Sequence, residues 1–257
     1  MTFLPALSLA RRELVRFLRQ RHRVIGALAT PIVFWLLIGG GMGRSFRTER
    51  FDGGYIQYFF PGTVLMILLF TAIFSTISII EDRREGFLQS VLVAPISRLH
   101  IVMGKVLGGT VLAFGQGLLF LLLAPFTGIQ LSLGGFLLAA IAMLVMSVGL
   151  TALGFCIAWR MSSTQGFHAI MNLFLMPMWF LSGALFPIDG AWKGLRIVMR
   201  LNPLSYGLES LRDAIHLSSA TISHFALCLG VSVLFAILLT LLATWIATHP
   251  TAADYQT

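Results

Sequence analysis

The chain has 257 residues, of which 57% are hydrophobic and only 11% charged, against about 25% charged in an ordinary soluble domain. With a mean hydropathy of +0.89, it reads as a membrane protein. The net charge of +8 does not point to nucleic acid. The basic residues sit beside apolar runs, where they set orientation, and no aromatic-and-basic binding surface is legible. Cys156 and Cys228 fall inside apolar runs at different depths. They read as small core residues, not as a disulfide.

Residues 3–23 read as an amphipathic helix. Phe3, Leu7, Ala10, Leu14 and Phe17 form one face, and Arg12, Arg16, Arg19 and Arg23 another. Such a helix suits the headgroup region. Val24 to Gly41 is the first span, 18 residues without a charge and with Pro31 inside it. That length is near the minimum for a hydrocarbon core of about 30 Å. A basic start before an apolar run also fits a signal peptide, but no small-x-small site follows and five more spans do, so the segment is read as retained.

A polar loop from Arg44 to Gly54 leads to Tyr55, Tyr58 and the second span, ending near Ile80. Thr71, Ser75 and Ser78 share a face of that span. They are candidates for lining a path, although such hydroxyls more often bond within or between helices. Next comes EDRREGFLQSVLVAPISR, residues 81–98. Residues 81–85 are all ionised, so this stretch cannot lie in hydrocarbon, and its apolar residues need something to pack on.

The third span is Ile101 to Ala124, with Lys105 near its start and Gln116 inside it. The fourth is Gly134 to Ala158. Gly104 with Gly108, and Gly39 with Gly43, are small-xxx-small pairs that permit close helix approach. Trp159 and Arg160 end the fourth span, and the fifth runs from Phe167 to Phe186 with His168 and Asn172 one turn apart. Residues 188–221 connect to the last span, Ile222 to Ala247. Within that connection Asn202 caps a helix with Pro203 at its first position, and Glu209 pairs with Arg212 at i, i+3. The domain reading is 1–23 connecting helix, 24–247 transmembrane domain and 248–257 tail.

Six spans put both ends on one side. That side carries eleven Lys and Arg (six of them before the first span), against seven on the other. The positive-inside rule therefore places the termini and residues 81–98 in the cytoplasm. Trp159 and Trp245 then mark the cytoplasmic interface. No phosphate loop, H-E-x-x-H or G-x-S-x-G is present, and no Cys/His ligand spacing. Acidic residues avoid the spans, which leaves a carboxylate proton relay without candidates. Energy must enter from outside the chain.

Three stretches together resemble the permeases of ABC-2-type transporters. Glu81-Asp82-Arg83-Arg84-Glu85-Gly86, with Leu88, Leu92 and Ala94-Pro95-Ile96-Ser97-Arg98, is similar to the family's first cytoplasmic loop. Phe87 and Gln89 stand where Thr and Glu are usual. Met176-Pro177, Phe180 to Gly183 and Phe186-Pro187 resemble the fifth-span segment. Leu201-Asn202-Pro203-Leu204-Ser205-Tyr206 with Leu211-Arg212 resembles the N-P-[LV]-x-Y segment. Among relatives, daunorubicin-resistance and nodulation-factor export permeases are the most similar.

The resemblance implies an all-α integral membrane protein with six spans and an amphipathic connecting helix. It also implies a cytosolic coupling helix between spans 2 and 3, and short re-entrant outer helices between spans 5 and 6. It assigns ATPase coupling to Glu81, Arg84, Glu85, Gly86, Leu88, Leu92, Pro95 and Arg98, and the connecting helix to Arg12, Arg16 and Arg19. The outer re-entrant segment would hold Gly183, Pro187, Asn202, Pro203 and Tyr206. Substrate-path candidates are Thr71, Ser75, Gln116 and Asn172. The chain itself would be no enzyme and hold no cofactor or metal. ATP and magnesium would be bound by a partner ABC ATPase, two copies per complex, with a second permease copy as a homodimer in a bacterial inner membrane. The expected function is export of a hydrophobic or amphipathic compound. A lipid-linked glycan is the alternative cargo, and a non-transporting scaffold the alternative class.

Overall fold

The computed structural model describes residues 3–42, 54–216 and 222–249. The predicted loop residues Arg44, Arg47 and Arg50, the glycine at 43, residues 217–221 and the tail beyond 249 lie outside the described residues. Ten α-helices occur among those described: α1 (Leu4–Arg19), α2 (Arg21–Gly41), α3 (Tyr55–Arg84), α4 (Phe87–Val93), α5 (Arg98–Leu121), α6 (Leu133–Ala158), α7 (Thr164–Trp179), α8 (Lys193–Leu201), α9 (Pro203–Ile215) and α10 (Ile222–Thr248). No strand is present among them. Six helical segments are long and apolar enough to cross a membrane, as predicted.

Local chemistry sets the helix starts. Ser132 accepts from the Gly135 N–H at 3.0 Å to open α6. Ser163 does the same for Gly166 at 3.3 Å to open α7. Asn202 Oδ1 accepts from the Leu204 N–H at 3.1 Å, with Pro203 at the first position of α9. These are side-chain caps for orphan N–H groups at helix starts.

Helix α3 is the axis of the molecule. It packs on α2, α5 and α6, and most of its length is buried. Helix α10 packs on α6 and α9, and α1 lies along α5. Small residues allow these approaches. A Cβ on Gly62 would meet the Ala184 Cβ at 2.8 Å, and one on Gly104 or Gly108 would meet the Leu9 or Glu13 Cβ at 2.7 Å. The Gly104/Gly108 pair therefore receives α1, not another span.

Four sequence expectations change. First, α3 continues to Arg84, so Glu81 to Arg84 form its last turn. Second, α7 ends at Trp179 and a single π-type turn, Phe180–Ala184, follows with Gly183 at φ +90°. The fifth span is thus broken where a left-handed residue must be glycine. Third, the apolar residues of α1 divide. Ala10 and Phe17 are buried with Ala6 and Leu9, while Phe3, Leu4, Leu7 and Leu18 are exposed. Fourth, Trp159 is buried and stacked on Phe155 at 5.1 Å, so it is a packing residue and not an interfacial anchor. Trp245 is exposed.

Candidate functional site

The last turn of α3 meets the second half of α1 and the first half of α5 in a cluster of charges. Asp82, fully buried on α3, accepts both Arg12 terminal nitrogens at 2.9 and 3.1 Å. Arg16 and Lys105 also donate to it. Lys105 donates further to Glu13 Oε1 at 2.7 Å and to Ser78 Oγ at 3.2 Å. Arg16 reaches on to Glu81 at 3.1 Å and Glu85 at 2.9 Å. Burial works against the charge on Arg16, but the carboxylates of Asp82, Glu81 and Glu85 outweigh it and hold its pKa above the ordinary value. A buried carboxylate persists as an ion only where cations and hydrogen bonds replace its water, and three cations do so here.

The predicted face of Arg12 and Arg16 therefore turns inward onto Asp82, whereas Arg19 is exposed. Asp82, Glu13 and Lys105 were missed as members of one site. Their signals were present: Glu13 is the lone acid of a basic helix, and Lys105 is the lone cation within a span. An isolated ionisable group in apolar surroundings needs a partner. The residues did not say which one.

Gly86 turns the chain from α3 into α4 at φ +74°, a left-handed conformation that favours glycine. The α4 helix then runs two turns and stops at Ala94-Pro95. Arg12 lies over the Phe87 ring, 3.6 Å from its centroid. This contact gives the departure from the family's Thr a role inside the chain. Leu88 is 3% exposed and belongs to the core, so it anchors α4 inward and cannot be an outward packing residue. Leu92 is half-buried against the same core. The outer surface is formed by Arg84, Glu85, Gln89, Ser90, Val93 and Pro95, with Val93 86% exposed. The tip is thus an apolar residue ringed by polar ones, held rigidly from behind.

The same end of the bundle is tied elsewhere by arginines on carbonyls. Arg83 donates to the Trp159 and Met161 oxygens and Arg84 to Ser162 O, which fixes the α6–α7 turn. Arg98 donates to Ala247 O at 2.7 Å, a cation at the last turn of α10, where the helix dipole favours it.

Three path candidates are engaged inside the chain. The Thr71 hydroxyl donates to Gln116 Oε1 at 2.6 Å, joining α3 to α5, and the Ser75 hydroxyl to Ala72 O at 2.6 Å. All three side chains are buried, and helix packing accounts for them. Asn172 is different. It lies on the exposed side of α7 together with Gln165 and His168, a polar stripe at helical spacing.

At the opposite end of α3, the break at Gly183 is a junction. The Gly183 carbonyl accepts from Tyr58 Oη at 2.7 Å and Arg212 Nη2 at 2.8 Å. Arg212 also pairs with Glu209 at 2.8 Å, as its spacing predicts. Asn202 Nδ2 donates to Met178 O at 2.6 Å, and Tyr206 Oη to Arg200 O at 3.0 Å. Pro187 precedes a short 3-10 turn, Ile188–Gly190. Hence Gly183, Asn202, Pro203 and Tyr206 belong to one hydrogen-bonded corner that joins α7 to α8 and α9.

The profile described as ABC-2 type transporter matches residues 6–216. The chain belongs to the ABC-2 type transporter family. Its sequence is 28% identical to the protein described as transport permease ycf38 of Cyanophora paradoxa over 208 residues, covering 79% of this chain and 71% of the other. It is 28% identical to nodulation protein J of Sinorhizobium fredii over 205 residues, 74% and 73% of the two chains. It is 23% identical to the probable multidrug ABC transporter permease YbhR of Escherichia coli K12 over 180 residues, 70% of this chain and 48% of the other. The ABC-2 permease is thus a multi-pass transporter subunit, and family membership implies an ABC ATPase subunit as its partner.

Proposed function

We propose that this permease exports a hydrophobic or amphipathic compound, drug-like or lipid-like, by alternating access driven by a separate ATPase. The observation that carries the coupling step is the α3–α4–α5 elbow. An exposed Val93 stands at its tip, and Asp82 latches its base to α1 and α5. A push on α4 is delivered through Gly86 and the charge cluster to three helices at once. The complex is read as two permease copies with two ATPases, in a bacterial inner membrane with both termini cytoplasmic. The positive-inside count supports that orientation. The description of YbhR as a multidrug permease supports the cargo class. So does the scarcity of charge in the spans, which offers little to a polar solute. The Gln165, His168 and Asn172 stripe of α7 supports a path on a face between two copies.

The test is co-purification with a candidate ABC ATPase subunit from the same organism, followed by ATP turnover and transport in lipid vesicles. Val93→Asp is expected to leave insertion and thermal unfolding unchanged. It should weaken ATPase capture by roughly tenfold or more, the scale of an interface hot spot. Leu92→Asp and Glu85→Lys should do so in the same direction. Unchanged capture and unchanged ATP-dependent transport in all three variants would overturn the docking assignment.

A further inference from the structure

Asp213 lies in the last turn of α9, and His224 and Cys228 sit one helical turn apart near the start of α10. His224 Nδ1 is 2.6 Å from Asp213 Oδ2. Cys228 Sγ is 3.8 Å from His224 Nε2 and 4.0 Å from Nδ1. The carboxylate, imidazole and thiol donors all lie within 4.8 Å of one another, and no other such His/Cys/acid group occurs among the described residues. None of the three has a part in the coupling site.

The spacing suits a small tetrahedral cation. Bonds of about 2.0 Å to nitrogen and 2.3 Å to sulfur separate the two ligand atoms by about 3.5 Å, close to the sulfur–nitrogen distances found. The carboxylate–imidazole contact need open by only about 0.7 Å to admit the ion at 2.0–2.2 Å from oxygen. Two ligands at i, i+4 on one rigid helix and a third from the neighbouring helix give a preformed geometry. Asp213 and Cys228 are buried and His224 is half-exposed. The imidazole is therefore the side of the group that solvent reaches.

We propose that Asp213, His224 and Cys228 bind a divalent transition-metal cation of the zinc class, with one coordination position open to water or an exogenous donor. On binding, the thiol proton leaves to solvent and Sγ becomes the ligand, as metal binding to cysteine requires. Carboxylate and thiolate then balance the 2+ charge next to apolar surroundings. The thiolate selects against calcium and magnesium, which prefer oxygen. The bound ion clamps α9, the helix that begins with the Asn202–Tyr206 corner, onto the last span.

The full-length protein, purified without a histidine tag in detergent, is titrated with Co2+ alone. One Co2+ per chain is expected, with a near-ultraviolet thiolate-to-cobalt charge-transfer band that equimolar Zn2+ bleaches. Cys228→Ser should remove the band while leaving thermal unfolding in chelator as in the wild type, and Cys156→Ser should keep it. Asp213→Asn and His224→Ala should weaken cobalt binding by about 10–100-fold. Absence of the band in the wild type, or its persistence in Cys228→Ser, overturns the site. Should Cys228→Ser fail to fold, His224→Ala decides, since its ring is half-exposed; unchanged cobalt affinity there overturns the site equally.

Discussion

Asp82 carries more consequence than any other single side chain at its end of the bundle. It is fully buried, and its partners Arg12, Arg16 and Lys105 come from two other helices. Asp82→Asn leaves those cations without their shared carboxylate. The expected loss is about 3–5 kcal/mol, the cost of breaking a buried pair on one side, read as a drop in thermal unfolding midpoint in detergent. Pairing it with Lys105→Met should recover part of that loss, because the stranded ammonium is then removed as well. His216 gives a second expectation at this scale. Burial first, and the nearby Arg212 second, lower its pKa below the ordinary 6.5. The folded state thus resists protonation that the unfolded chain accepts. Stability is fully present above about pH 6.5 and falls as the pH drops from there toward the lower folded value. Thermal unfolding at neutral and mildly acidic pH measures this slope, and His216→Gln should flatten it.

Between elements, α1 and α5 approach closely over two glycines. Gly104 and Gly108 leave a groove in α5 that the Leu9 and Glu13 side chains fill, with the Ala6 and Ala10 carbonyls beside them. Gly108→Leu would drive a side chain into Glu13, the acid that Lys105 holds. Overpacking of this kind costs about 1–3 kcal/mol, and it should also lift α1 away. Hydrogen exchange over residues 4–19 should rise, and the unfolding midpoint should fall. Gly115 is the internal control, because a Cβ there meets nothing within 4 Å. Gly115→Ala should be neutral or slightly stabilising through helix propensity. The contrast between two glycines of one helix separates packing from propensity.

For the whole molecule, the proposed drive by a separate ATPase rests on how α4 is joined to α3. Helix α4 is short, anchored by Leu88 and Phe87, and projects Val93. Behind it α3 runs the length of the bundle to the Gly183 corner, where Tyr58 and Arg212 converge on one carbonyl. In the proposed coupling, an element of that length, held at both ends by polar clusters and along its sides by small residues, moves as a unit. The split expected for Val93→Asp, intact folding with weakened ATPase capture, is a property of the assembled complex, since Val93 touches so little of its own chain.

Six spans, the interruption at 81–98 and the Asn202-Pro203 helix start were all legible in the residues. Each depends on local chemistry: apolar length, charge, and a proline or cap at a boundary. Small-residue pairs, hydroxyls and lone charges announced only that a partner was needed. Gly104 and Gly108 could have received any helix, and Thr71, Ser75 and Gln116 fit a path as well as a packing contact. Leu88 and Val93 are both apolar residues of one short helix, yet one is core and the other tip. The carboxylate of Asp82 read as part of a solvated loop until α3 carried one turn further and brought it against Lys105. Composition and periodicity are local quantities and determine where helices run. The pairing of charges and the facing of side chains depend on which helices become neighbours, and that is decided by packing across the whole bundle.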